Sequence, residues 1–165
     1  MFELKKLTPR GIERALGKVE RYRLLNEPAE AESICRDVLA VEPENQAAVV
    51  SLLLSLTDQF EMETQRALPE AQSLLERLSG DYARAYYAGI ICERRAAALL
   101  KRSTPGSGAV VYDWYRQAME HYERAETLRP EGNDDPLVRW NTCARTIARH
   151  GLKPAAPSPE RTFLE

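Results

Sequence analysis

The chain has 165 residues, of which 44% are hydrophobic, and its formal net charge is −2. This length suits a single domain with a substantial core. The charge supplies no overall basic field that would attract nucleic acid or an anionic membrane surface. The longest uncharged apolar stretch, 47–57, is far shorter than the ~20 residues that a membrane span needs. We therefore expect neither a nucleic-acid partner nor a membrane partner.

The cysteines indicate a reducing compartment. Cys35, Cys92 and Cys143 are odd in number, far apart and outside any CxxC motif, which fits reduced thiols better than a disulfide framework. No apolar core with a cleavage site follows residues 1–6, so we expect no secretion signal. The sequence thus predicts a cytoplasmic location.

Apolar residues recur at helical spacing along most of the chain, without a clean period-2 stretch. Thr8 and Asp134 stand just before prolines at the first turn of predicted helices, where we expect them to act as caps. A polar connection is predicted at 58–66. The pattern predicts seven helices, at about 9–25, 28–41, 44–58, 67–79, 81–102, 109–129 and 136–150.

These elements divide the chain into an N-terminal extension (1–8), a helical domain (9–150) and a proline-rich tail (151–165). The tail contains Pro154, Pro157 and Pro159, and we predict that it is irregular. A polyproline ligand for an adaptor domain is the alternative interpretation of this segment.

One spacing recurs in three of the predicted helices. A small residue is followed one turn later by a larger residue, then after three positions by a small or medium one, and in two copies by a proline five positions further on. Such repetition is typical of stacked helix pairs. The copies are Ala31, Cys35, Val38 and Pro43; Ala71, Leu75 and Leu78; and Ala118, Tyr122, Ala125 and Pro130.

In these positions the chain resembles the tetratricopeptide repeat family, over about residues 9–150. Tyr22, Ala31 and Pro43 match the family pattern in the first repeat, whereas Ala15, Val19 and Cys35 differ from it in size. The second repeat is degenerate. The resemblance implies an all-α, right-handed superhelix of about three antiparallel helix pairs plus a C-terminal capping helix. It also implies an inner surface, lined by the first helix of each pair, that binds a peptide or a partner helix.

The residues on that inner surface differ from the family's best-known peptide clamp. Leu16, Glu20 and Ser51 stand where the clamp has Lys and Asn, so a chaperone C-terminal tail is not the expected ligand. The third helix would present an apolar row that suits an amphipathic helix as ligand. The alternative is that the fifth helix or the tail fills the groove from within. The row consists of Ala47, Val50, Leu54 and Thr57.

We predict nine partner-binding residues. Tyr86, Tyr87 and Ile90 on the fifth helix are candidate aromatic and apolar anchors, with core filling as the alternative. The basic end of that helix, which includes Arg94 and Lys101, is either a solvated face or a site for an acidic partner segment. The predicted partner-binding residues are Leu16, Glu20, Arg23, Val50, Leu54, Thr57, Tyr86, Tyr87 and Ile90.

The sequence predicts a protein–protein interaction module, without catalytic residues, metal or cofactor. His121 and His150 lack ligand spacing to any cysteine, and no phosphate loop or hydrolase motif occurs. The alternative function is a self-assembling structural protein. In that case a homodimer, or the chain itself, would fill the groove.

Overall fold

A computed structural model describes residues 1–102 and 104–157, and within them it contains α-helices and no strand. This confirms the all-α prediction. Two short 3₁₀ helices lie at Pro9–Gly11 and Leu75–Arg77. Pro159, in the predicted tail, lies outside the described residues. The helices are α1 (Ile12–Leu24), α2 (Pro28–Val41), α3 (Gln46–Thr57), α4 (Phe60–Leu74), α5 (Asp81–Arg102), α6 (Gly108–Leu128) and α7 (Asp135–His150).

Prolines and glycines set several helix ends as the sequence suggests, but two predicted caps are wrong. Pro28 occupies the first turn of α2, and Gly151, with φ of 59°, ends α7 in the left-handed conformation. Neither Thr8 nor Asp134 makes a side-chain cap hydrogen bond. The Asp134 carboxylate instead accepts a hydrogen bond from the guanidinium of Arg129, which draws it away from the helix end.

The predicted connection 58–66 is also wrong, because α4 begins at Phe60. Phe60 is only 1% exposed, so its burial holds this polar stretch against the core. Within α4, only Glu63 has non-helical backbone angles (φ −130°, ψ 37°). At the other end α4 stops at Leu74 rather than at 79. Leu78 adopts an extended backbone and is 2% exposed, so the chain leaves the helix while keeping this side chain buried.

Each helix packs against the next one in the chain, and α3 also packs against α1 and α5. One core cluster contains residues from each of the helices α1 through α5, among them Leu53 and Ile91. A second cluster joins α5, α6 and α7 around Tyr122. Leu54 and Tyr87 pack against both clusters. None of the described helices is both long and apolar enough to cross a membrane.

A buried carboxylate ties the last three helices together. Glu93 of α5 is 6% exposed, and it accepts a hydrogen bond of 2.6 Å from the Tyr122 hydroxyl of α6. The guanidinium of Arg139, on α7, donates to both Glu93 oxygens at 2.7 and 3.1 Å. Burial alone would lower the pKa of Arg139, but the Glu93 charge and the contacts with Tyr122 and Tyr86 together outweigh it and raise that pKa.

The approach of α6 to α5 depends on Gly89. A Cβ atom at this position would lie 2.5 Å from the Tyr122 ring, well inside van der Waals contact. A residue without a side chain therefore lets Tyr122 reach Glu93.

We predict opposite effects of the same substitution at two helical glycines. Gly89→Ala forces Tyr122 to move and lowers the free energy of unfolding by about 1–3 kcal/mol. At Gly17, on α1, a Cβ atom meets nothing within 4 Å, so Gly17→Ala raises the free energy by roughly 0.5–1 kcal/mol through better helix propensity. Urea denaturation followed by circular dichroism measures both. A Gly89→Ala variant as stable as the parent, or more stable, would contradict the packing of Tyr122 on Gly89.

Candidate partner-binding face

Two adjoining concavities lie along α1, α3 and α5. The smaller, of about 370 Å³, lies between α1 and α3 and is lined by Leu16, Ala47, Ser51 and Leu54, among others. The larger, of about 510 Å³, extends to α5, where Arg94 is part of its wall. Both concavities are lined by Glu20 and Arg23, so they form one continuous surface, which we call the α1/α3/α5 face.

Ion pairs hold the larger concavity together. The Asp58 carboxylate, which follows α3, accepts a hydrogen bond of 2.8 Å from Nε of Arg23 and lies 3.8 Å from Nη1 of Arg94. It therefore links α1 to α5. Lys101 pairs with the Glu61 carboxylate, and Arg102 donates a 2.6 Å hydrogen bond to the Glu61 carbonyl oxygen. The end of α5 is thereby fixed to the start of α4.

The structure brings four of the nine predicted residues to the face with side chains that are exposed or half-buried: Leu16, Glu20, Arg23 and Leu54. Leu54 is shared with the core, because it also packs against both core clusters.

The other five predicted residues are placed differently. Thr57 touches the larger concavity but is 3% exposed, and its hydroxyl donates a 2.8 Å hydrogen bond to the Leu54 carbonyl oxygen. Val50 packs against the core rather than lining either concavity. Two residues of the expected apolar row, Ala47 and Leu54, thus line the smaller concavity, whereas Val50 and Thr57 pack within the molecule. Thr57 is buried and Val50 is half-buried, and the partner-binding role of both stays a prediction.

The aromatic residues of α5 also pack inward. Tyr86 stacks on Tyr82 and lies 5.9 Å from the Tyr122 ring, centroid to centroid, while Tyr87 packs against both core clusters. Ile90 is 6% exposed. Ile90 is therefore buried, Tyr86 and Tyr87 are half-buried, and their role as partner anchors stays a prediction. Core filling, the alternative interpretation, agrees with the burial of Ile90 and with the inward packing of the two tyrosines.

Sequence reasoning missed the acidic half of the ion pairs. Asp58 and Glu61 fell in a segment predicted to be a loop, so nothing placed them opposite α5. The sequence shows Arg94 and Lys101 as a basic end of α5, but it contains no signal for their intramolecular partners. A carboxylate directly after a buried apolar helix, together with basic residues at the end of another helix, is the only hint that the sequence offers.

A second buried carboxylate fixes the connection between α3 and α4. Glu32, on α2, accepts hydrogen bonds from Gln59 (2.6 Å), Arg36 (2.6 Å) and Arg66 (2.9 Å). Burial would raise the pKa of Glu32, but these donors outweigh it and lower the pKa from 4.5 to about 2. Because Gln59 adjoins Asp58, the network holds Asp58 in its place on the face.

We predict that this network makes stability depend on pH. The folded pKa of Glu32 lies below its unfolded value, so its contribution is fully present above about pH 4.5. It is lost as the pH falls toward about 2. Over this interval Glu32 accounts for up to about 3 kcal/mol of the free energy of unfolding.

Denaturation series at pH 2 to 7 measure this loss. Glu32→Gln should be less stable than the parent at pH 7 and should lose less stability on acidification. Glu76→Gln is the matched control, because Glu76 is exposed and has no ion-pair partner among the described residues. Equal acid sensitivity of Glu32→Gln and the parent would contradict the assignment.

The three thiols are buried away from the face. Burial raises the pKa of Cys35 and of Cys143 to about 12, and that of Cys92 to about 11. Such thiols are protonated at neutral pH and are poor nucleophiles. Within residues 1–102 and 104–157, no group of three or more His, Cys, Asp or Glu residues is arranged to hold a metal ion.

Comparison of the chain with protein-family models, with curated proteins and with solved structures gives no match. The tetratricopeptide resemblance therefore rests on the repeated sequence spacing alone. The function has to be argued from the α1/α3/α5 face itself.

Proposed function

We propose that the protein is a protein–protein interaction module that binds a partner peptide or helix on the α1/α3/α5 face. We also propose that the helices form a right-handed superhelix of three pairs, in which α1, α3 and α5 are the inner helices and α7 is the cap. The contacts of α3 with both α1 and α5 support this arrangement. In this proposal the protein acts without catalysis or a cofactor, in a reducing compartment such as the cytoplasm.

The continuity of the face carries the proposal. The two concavities share Glu20 and Arg23, and together they run from Leu16 near the start of α1 to Lys101 at the end of α5. A small-molecule site is usually enclosed and mostly apolar. A long, open surface that combines apolar side chains with charged ones fits an extended peptide or a helix better.

We predict that a bulky charge on the face abolishes partner binding while the fold survives. Ala47 is exposed and lines the smaller concavity, so Ala47→Arg blocks the face at little cost in stability. Ala40→Arg is the matched control, because Ala40 is an exposed helical alanine of α2 outside both concavities. This pair is preferable to substitution of Leu54, whose role in the core would confound the result.

Affinity capture from lysate of the source cells, with quantitative mass spectrometry, compares the two variants with the parent. Partners that bind the face are captured by the parent and by Ala40→Arg, and lost with Ala47→Arg. Circular dichroism checks that both variants remain helical. Equal capture by both variants would show that the face is not the binding site.

Self-assembly is the second candidate function, and the N-terminal extension is the observation that favours it. Met1, Phe2 and Leu4 are almost fully exposed, which is unusual for large apolar side chains close together in a sequence. Light scattering after gel filtration distinguishes the candidates. The interaction-module proposal predicts a monomer. A dimer that Phe2→Ser and Leu4→Ser convert to monomer would favour self-assembly.

A further inference from the structure

One end of the α1/α3/α5 face exposes three large apolar side chains, which we call the apolar rim. Leu24, the last residue of α1, and Leu25, which follows it, are 84% and 61% exposed, and Met62 on α4 is 87% exposed. Leu24 lines the larger concavity of the face, and Met62 lines a neighbouring cavity of about 710 Å³. Both of these cavities include Asn26 and Lys101, so Leu24 and Met62 border one surface, and Leu25 adjoins it in sequence.

The fold does not need these side chains. Leu24, Leu25 and Met62 belong to none of the core clusters of the described residues. The turn after α1 is closed by the backbone instead, since the Glu27 N–H donates to the Tyr22 carbonyl oxygen at 2.9 Å. A single exposed leucine needs no explanation, but two highly exposed large apolar side chains, Leu24 and Met62, that border one concave surface indicate an interaction site.

The surface around the rim is acidic. Its two cavities contain twice as many carboxylates as basic groups, and the basic groups are already engaged: Arg23 and Arg94 with Asp58, and Lys101 with Glu61. The carboxylates of Glu20, Glu27 and Glu30 have no ion-pair partner among the described residues. The lining carboxylates are those of Glu20, Glu27, Glu30, Asp58, Glu61 and Glu63.

We propose, on the basis of the function proposed above, that this end of the face binds a basic amphipathic segment of a partner protein. Its apolar side chains pack on Leu24 and Met62, and its Lys or Arg side chains pair with Glu20, Glu27 and Glu30. Charge complementarity selects this partner chemistry, because an acidic segment would meet unpaired carboxylates of the same sign.

A designed peptide pair tests the inference. The probe is a fluorescein-labelled peptide of about 18 residues, ~27 Å long as a helix. It carries leucines at i, i+3, i+4 and i+7 spacing and lysines elsewhere, and the matched control peptide has glutamates in place of the lysines. Fluorescence anisotropy with the full chain should show binding of the lysine peptide only. The affinity should fall steeply between about 50 mM and about 500 mM NaCl, because ion pairs at an exposed surface are screened.

Variants locate the binding. Leu24→Ser with Met62→Ser removes the apolar contacts, and Glu20→Gln with Glu27→Gln and Glu30→Gln removes the charges. Either set should raise the Kd about tenfold or more, since both kinds of contact act at one site. The control, Leu128→Ser with Val138→Ser, changes exposed apolar residues of α6 and α7 outside both cavities, and should leave the Kd unchanged.

Several results would overturn the inference: equal binding of both peptides, an equal Kd for all variants, or a dimer that only the Leu24→Ser, Met62→Ser variant dissociates. The last result would identify a second copy as the occupant. The face proposal has its own test, through Ala47→Arg. If that variant loses its partners while the lysine peptide does not bind, only the partner chemistry is wrong.

Discussion

The buried carboxylate of Glu93 is the constraint on which the arrangement of the helices depends most. A charge taken out of water is tolerated only when it is paired and hydrogen-bonded, and Glu93 satisfies this requirement with one residue from each of two other helices, Tyr122 and Arg139. A shift of α7 would remove the ion pair of this buried carboxylate, and a shift of α6 would remove its hydrogen bond from Tyr122. Gly89 supplies the space that this contact needs.

The position of α5 in turn decides the shape of the candidate face. One side of α5 packs into the C-terminal core through Ile90 and Cys92, and another side forms a wall of the larger concavity through Arg94 and Lys101. Asp58 then joins that wall to α1. The Glu32 network holds the connection that carries Asp58. Glu93 thus holds α5 against α6 and α7, and Glu32 holds the segment that carries Asp58.

The sequence predicted the helices well and the face only in part. Local signals, such as Pro28 at a helix start and Gly151 at a helix end, act over a few residues, so they can be read directly from the chain. The side chains of Thr57, Val50 and Ile90 could not be assigned to face or core in this way. Their exposure depends on how the helices pack against one another, and that packing is set by contacts between residues far apart in sequence, such as the contact of Gly89 with Tyr122. Residues 60–66 are helical although they are mostly polar, a composition that predicts a loop. Their helix is held against the core by the buried side chain of Phe60.

Thiol labelling tests most directly whether the face is open to a partner. The native cysteines are buried and have raised pKa values, so the folded parent should react very slowly with a thiol reagent. A cysteine introduced at Ala47 reports on the face, and one at Ala40 reports on an exposed helix surface elsewhere. We predict that both introduced thiols react at similar rates in the free protein. Strong protection of the thiol at 47 alone would mean that the chain itself or a second copy fills the face, and this would contradict the account.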